Sequence, residues 1–212
     1  LTILFRKAGE TGVDAAAFWS AGKLALAGRA AEVYQLEAIR GVQQAAGLEL
    51  ALPYLNPPPF LFLCLPLGLT SFPIALALWN ILTLIPYLWL SRRLFPQGWW
   101  MLAMFAPVLL NLIIGQNGLV TGALFIGAIM ALETRPILAG ALVGALVIKP
   151  QLAILFPIAF IAGRRWRAFI AAAVSSLGLL AVSELIFPGT TQAFLANTAF
   201  TSSLLDRPEL VR

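Results

Sequence analysis

From residue 60 onward the chain alternates long apolar runs with brief polar interruptions, whereas residues 14–56 mix charges and aromatics at short intervals. The apolar runs predict helices over 73–90, 99–114, 119–132, 137–148, 152–162 and 169–187. Pro73 opens the first, and Ser91, Arg92 and Arg93 close it. Several of these runs fall short of the roughly 20 residues that cross a bilayer, which predicts small tilts or half-embedded ends. Asn56 is followed by Pro57, Pro58 and Pro59, which block helix entry and fix an extended turn. The run over 60–69 behind them is short and punctuated by Pro66 and Gly68, and reads as a re-entrant or juxtamembrane helix.

Residues after Asp14 read as two short helices. Asp14 is expected to N-cap one that runs toward Gly28, and Ala30 to begin another that runs toward Gly47. The first presents Phe18 and Trp19 with Lys23 and Arg29; the second presents Val33, Tyr34, Leu36 and Ile39 with Glu32, Glu37 and Arg40. Both are too polar to span, and the expectation is amphipathic helices lying on the membrane surface. The fold class that follows is all-α, a polytopic transmembrane helical protein. Its parts are an external juxtamembrane loop over 14–56, a transmembrane bundle over 57–187 and an external loop over 188–212. The chain opens Leu1-Thr2-Ile3-Leu4-Phe5 without Met and ends in polar sequence around Asp206, Arg207, Pro208 and Glu209, which predicts a fragment lacking a first helix and several last ones.

Composition agrees with a membrane protein. The chain is 60% hydrophobic and 11% charged, against roughly 25% charged in an average soluble protein, and its mean hydropathy is +0.90. The net charge of +5 could suggest nucleic acid. The basic residues, however, sit at the ends of apolar runs, which is the positive-inside pattern, and no nucleic acid is expected. The one cysteine, Cys64, lies inside an apolar run, so it reads as an inert buried thiol. With no histidine in the chain, Ser-His-Asp hydrolysis, His-based zinc sites and haem ligation by His are excluded. Acid-base work falls to Asp, Glu, Lys or Tyr.

The breaks between runs alternate in chemistry. Arg92 and Arg93 are followed by Gln116 and Asn117, then Glu133 and Arg135, then Lys149 and Gln151, then Arg164, Arg165 and Arg167. Placing the Arg-rich breaks in the cytoplasm puts Gly115-Gln116-Asn117-Gly118, Lys149-Pro150-Gln151 and the Asp14 loop together on the opposite face. A crossing by 60–69 would instead move Asp14 to the Arg-rich face. The loop's own Lys23, Arg29 and Arg40 run against the charge rule, which long loops obey weakly. Each motif has a plain structural alternative: Asp14 as a helix cap, the Gly-Gln-Asn-Gly run as a tight turn, and Lys149 as a snorkelling side chain. Against the last, a lone Lys next to Pro costs free energy at membrane depth unless an anion pairs with it.

Read in order, these motifs resemble glycosyltransferase family 87 of the GT-C superfamily. They are Gly12-Val13-Asp14 with Phe18, Trp19, Ala21 and Gly22, then Asn56-Pro57-Pro58-Pro59-Phe60 with Pro66, Leu67 and Trp79. Gly115-Gln116-Asn117-Gly118 and the stretch from Ala139 to Gly144 leading to Lys149-Pro150-Gln151 complete the series. The likeness covers nearly all of 14–173; the specificity lies in the order and spacing of the motifs, not in any one of them. Characterised members of that family are polyprenyl-phosphate-mannose-dependent mannosyltransferases of about twice this length. Where family sequences commonly carry Tyr before the prolines this chain has Asn56, so an aromatic donor contact is either absent or supplied by Tyr54.

The resemblance implies a GT-C-like fold and transfer of a sugar, mannose in characterised members, from a polyprenyl-phosphate donor to a hydroxyl of a lipid or glycan acceptor with inversion. Asp14 matches the general base of the first external loop. Lys149 is the cation placed to receive the departing lipid phosphate, and Gln116, Asn117 and Gln151 supply neutral hydrogen bonds, with Tyr54, Asn56 and Trp19 as further substrate contacts. Neither metal nor other cofactor is implied. The expected setting is a bacterial inner membrane with the site on its periplasmic or external face. Two readings from other classes remain at this level: a transporter or flippase subunit whose broken helices line a substrate path, and a structural membrane subunit in which Asp14 and Lys149 have no chemical part.

Overall fold

A computed structural model describes residues 12–48 and 52–205, with side chains described through 198. The expectations for residues 1–5 and 206–212 lie outside the described residues. The described chain is helical throughout and falls into a cap, residues 12–68, and a bundle that follows it.

The cap begins with α1 (Val13–Leu26). Its N-cap is Gly12, left-handed at φ 83° with no side-chain cap, so Asp14 does not cap the helix as expected but lies in its first turn. The Gly12 amide donates instead to the Ile113 carbonyl at 2.7 Å, so a bond from 101 residues away sets where the helix starts. The second expected helix is split into a 3₁₀ turn, Ala30–Tyr34, and α2 (Leu36–Ala45). The surface placement of both is corrected for α1, whose Ala15, Ala16, Phe18, Trp19, Ala21 and Leu24 are all buried. A 3₁₀ turn, Pro58–Phe60, leads into α3 (Leu61–Gly68), too short to cross a bilayer. Backbones of α1 and α3 touch where Gly22 meets Cys64 and Gly68; a Cβ at either glycine would overlap main-chain atoms. Phe18 and Phe60 pack edge to face at 4.8 Å, and both reach Trp79 of the bundle.

The bundle opens with α4 (Phe72–Leu94). The run expected over 99–114 is broken into α5 (Trp99–Ala103) and α6 (Ala106–Ile114), with Pro107 in the first turn of the second piece. Then come α7 (Gly118–Ala131) and α8 (Pro136–Ala145), which a 3₁₀ turn continues to Ile148. The run over 152–162 is likewise broken, into α9 (Pro150–Ala153) and α10 (Phe156–Ala162) with Pro157 at the start of the latter. Next is α11 (Trp166–Ile186). Past Phe187, where an external loop is expected, the chain forms α12 (Thr190–Leu205).

Helices α4 and α11 are long and apolar enough to cross a membrane, and only 22% and 6% of their apolar windows are buried, unlike the core helix of a soluble protein. α4 and α7 run parallel, Tyr87 against Gly122 and Leu90 against Gly127. α8 and α11 run parallel to each other, Gly140 against Ala168 and Gly144 against Ala172 and Ser175. This direction pattern gathers Gln116, Asn117 and Lys149 at one end. Arg92, Glu133, Arg135 and Arg165 fall at the other, where Arg165 and Glu133 form an ion pair.

Candidate active site

Three chain breaks and the start of α1 converge at the cap end of the bundle. Gly115 ends α6 in the left-handed region at φ 71°, and its Cα packs against Ala15 so closely that a Cβ would meet that methyl group. Asn111 ties the turn: its Oδ1 accepts from the Gly118 amide at 2.8 Å, and its carbonyl accepts from the Gln116 amide at 3.0 Å. Trp79 fixes the turn from outside, donating its Nε1 hydrogen to the Gln116 carbonyl at 3.2 Å. At the second break Pro150 disfavours helical backbone for the residue before it. Lys149 accordingly sits at φ −147°, ψ 74°, out of the helical path. At the third, the Asn56 carbonyl accepts from the Tyr34 hydroxyl at 2.9 Å.

These elements enclose a cavity of about 350 Å³. Asp14, Asn56, Gln116, Asn117, Lys149 and Gln151 line it, with Phe18, Leu55, Ile148 and Phe194 among its apolar walls. Six of the eight residues singled out from sequence are therefore together. Trp19 is not with them; it is buried beside Phe72 and donates to the Thr70 carbonyl at 3.0 Å. Tyr54 also lies outside the cavity, 1% exposed within the cap core, its buried hydroxyl without a hydrogen-bond partner among the described residues. Both side chains serve the packing that holds Asp14 and Asn56 in place. Sequence reading missed Phe194, which reaches the cavity from α12, and Asn111, whose sole signal is an amide side chain one turn ahead of the Gly-Gln-Asn-Gly run.

The electrostatics oppose one another across the cavity. Burial pushes the Asp14 carboxyl above its ordinary value, while the Lys149 charge and a hydrogen bond with Gln116 pull it down. Burial likewise lowers Lys149, against the Asp14 charge, which raises it. Gln116 accepts from the Asn117 amide through Oε1 at 3.0 Å, which leaves its Nε2 to donate to Asp14. The Lys149 ammonium donates to Asn117 Oδ1 at 2.8 Å, and Asn117 Nδ2 donates to Asn56 Oδ1 at 2.8 Å. A carboxylate made more basic and an ammonium thus face one small chamber: one can take a proton, the other can receive a growing negative charge.

In comparisons with known proteins, the family model for glycosyltransferase family 87 matches residues 54–210. The searches of curated proteins and of solved structures return no match.

Proposed function

The chain belongs to glycosyltransferase family 87 and is a membrane glycosyltransferase, and from that premise we propose that it moves mannose from a polyprenyl-phosphate donor to an acceptor hydroxyl, with Asp14 as general base. The observation that carries this reading is the meeting of Asp14 and Lys149 in one cavity. Asp14 takes the proton of the acceptor hydroxyl as its oxygen bonds to the anomeric carbon and the bond from that carbon to the phosphate oxygen breaks. In-line attack inverts the anomeric centre. The donor phosphodiester carries one negative charge and the departing phosphomonoester gains a second, so Lys149 interacts more strongly with the transition state than with bound donor. Gln116, Gln151 and Asn56 hydrogen-bond sugar or phosphate oxygens, and a lipid or glycan supplies the acceptor hydroxyl. The basic breaks at the far end of the bundle favour a site on the external, periplasmic face of a bacterial inner membrane.

Asp14→Asn tests the base directly. Asn keeps the size and can still accept from Gln116, and the α1 start does not depend on this side chain. Turnover with a polyprenyl-phosphate mannose should fall by at least about a hundredfold at unchanged melting temperature, with Asp14→Glu recovering little, since the added methylene displaces the oxygen from its line of attack. A stable Asp14→Asn protein with near-normal turnover removes Asp14 from the chemistry, and a panel of polyprenyl-phosphate sugars decides the donor.

A further inference from the structure

We propose that Asn117 is a positioning residue that acts through Lys149, holding the ammonium against the cavity wall, and is not itself a substrate contact. The inference rests on the assignment of Lys149 to the departing phosphate. Asn117 is 2% exposed, and its polar groups are all engaged. Its amide donates to Gln116 Oε1 and its carbonyl accepts from Thr121, while its side chain bridges Lys149 and Asn56. With one donor and one acceptor of its amide already committed and only 2% of its surface exposed, Asn117 presents little to a sugar.

Donor and acceptor chemistry gives the bridge one direction. An ammonium can only donate, so Asn117 must turn its oxygen to Lys149, which leaves its nitrogen to donate and obliges Asn56 to present an oxygen. Asn56 is in turn held through its carbonyl by Tyr34, a member of the cap's buried aromatic cluster. The relay therefore runs from the bundle to the rigid cap and fixes one of the three Lys149 donors. Two remain for phosphate oxygens. A free lysine chain would have to be ordered when the donor arrives; one already tethered is organised beforehand.

The test is a double-mutant cycle in the intact protein with a polyprenyl-phosphate mannose as donor, joined to pH-dependent acylation of Lys149 read by mass spectrometry. Among the described residues Asp14 is the titratable group acting on Lys149, and it is kept in every variant. Asn117→Leu should lower donor kcat/KM about tenfold, a loss of the size expected for a misplaced charge, and add nothing further to Lys149→Ala. Asn117→Asp keeps the shape and sets a carboxylate against the ammonium, so the acylation midpoint and the alkaline limb of kcat/KM should both move up. If Asn117→Leu does not fold, Asn117→Asp decides alone. Additive losses, or an unmoved midpoint in Asn117→Asp, overturn the inference while Lys149 keeps its role. Unchanged donor kinetics in Lys149→Ala overturn that role and the inference with it.

Discussion

The cap and the bundle bury their apolar side chains in opposite ways. In the cap the core is made of large side chains, with Phe18, Trp19, Tyr34, Tyr54, Phe60, Leu61 and Leu67 closed away together. In the bundle the buried cluster is Ala128, Val143, Phe160 and Ala168, while large residues such as Leu177, Leu185 and Ile154 face outward. The difference follows from the solvent each faces. Removing a leucine from water gains free energy, but moving it from lipid to protein gains little, so bundle helices associate through close backbone approach and local polar contacts. Gly140 and Gly144 let α8 approach α11, and Ser175 donates across that contact to the Ala141 carbonyl at 3.1 Å.

The largest separation between the two regions should come from truncation. Leu67→Ala, at a fully buried cap position, should cost about 2–5 kcal/mol, whereas Leu177→Ala on the outer face of α11 should be nearly silent. Thermal unfolding of both in one detergent checks this, and equal costs would erase the distinction between the regions.

The same distinction explains what could be read from the sequence. Bundle boundaries were legible because charge is expensive inside lipid: Arg92, Glu133, Arg135 and Arg165 mark the ends where helices turn. Six cavity residues were legible for a related reason, since Asp14, Asn56, Gln116, Asn117, Lys149 and Gln151 are polar groups beside long apolar stretches. The cap was harder. Its α1 looks amphipathic when Lys23 and Arg29 are weighed against Phe18, but its all-round burial comes from the Gly22–Gly68 contact and from Gly12 binding Ile113, both non-local. Trp19 and Tyr54 were misplaced because an aromatic with a polar handle looks the same in sequence whether the handle meets a ligand, meets a carbonyl or is buried in the packing.

A charge substitution should invert the contrast. Leu177→Arg puts a cation on the lipid-facing middle of α11 and should cost about 2.5–3.5 kcal/mol of insertion. Leu36→Arg, on the exposed face of α2, should stay within about 0.5 kcal/mol. Glycosylation-mapped insertion and protein yield measure the two, and a tolerated Leu177→Arg would show that α11 is not lipid-facing.

Trp79 joins the regions, packing on Phe18 and Phe60 while holding the Gln116 carbonyl. Trp79→Phe keeps an aromatic ring but deletes that hydrogen bond, an expected loss of about 0.5–1.5 kcal/mol with a rise in donor KM exceeding any fall in kcat. An unchanged KM would limit Trp79 to packing.

The finest effect is in pH. On the proposed mechanism activity needs Asp14 ionised and Lys149 charged, so kcat/KM should be bell-shaped. Burial raises the acid limb above the ordinary Asp value of 3.8 and lowers the alkaline limb below the ordinary Lys value of 10.5. Removing the cation in Lys149→Ala leaves burial of Asp14 less opposed, and the acid limb of the residual activity should move further up. Stability has matching signs. With its folded value raised, Asp14 contributes less as pH rises through the window above 3.8; with its folded value lowered, Lys149 contributes less as pH falls through the window below 10.5. A downward acid limb in Lys149→Ala would mean the two groups do not share the cavity in solution.

The short helix α7, with 14 residues, rises about 21 Å, while the hydrocarbon of a bilayer is about 30 Å deep. Beside it, α4 with 23 residues rises about 34 Å. Lipid would accommodate α7 by thinning or by letting headgroups sink, and the consequence for catalysis turns on the end that carries the cavity. A dent there would lower a lipid phosphate toward Lys149 and shorten the path by which a hydrophilic hydroxyl reaches Asp14. Chain length of the host lipid then becomes a control on rate: reconstitution in shorter-chain phosphatidylcholine should raise turnover, and longer chains should depress it, with no change in the protein.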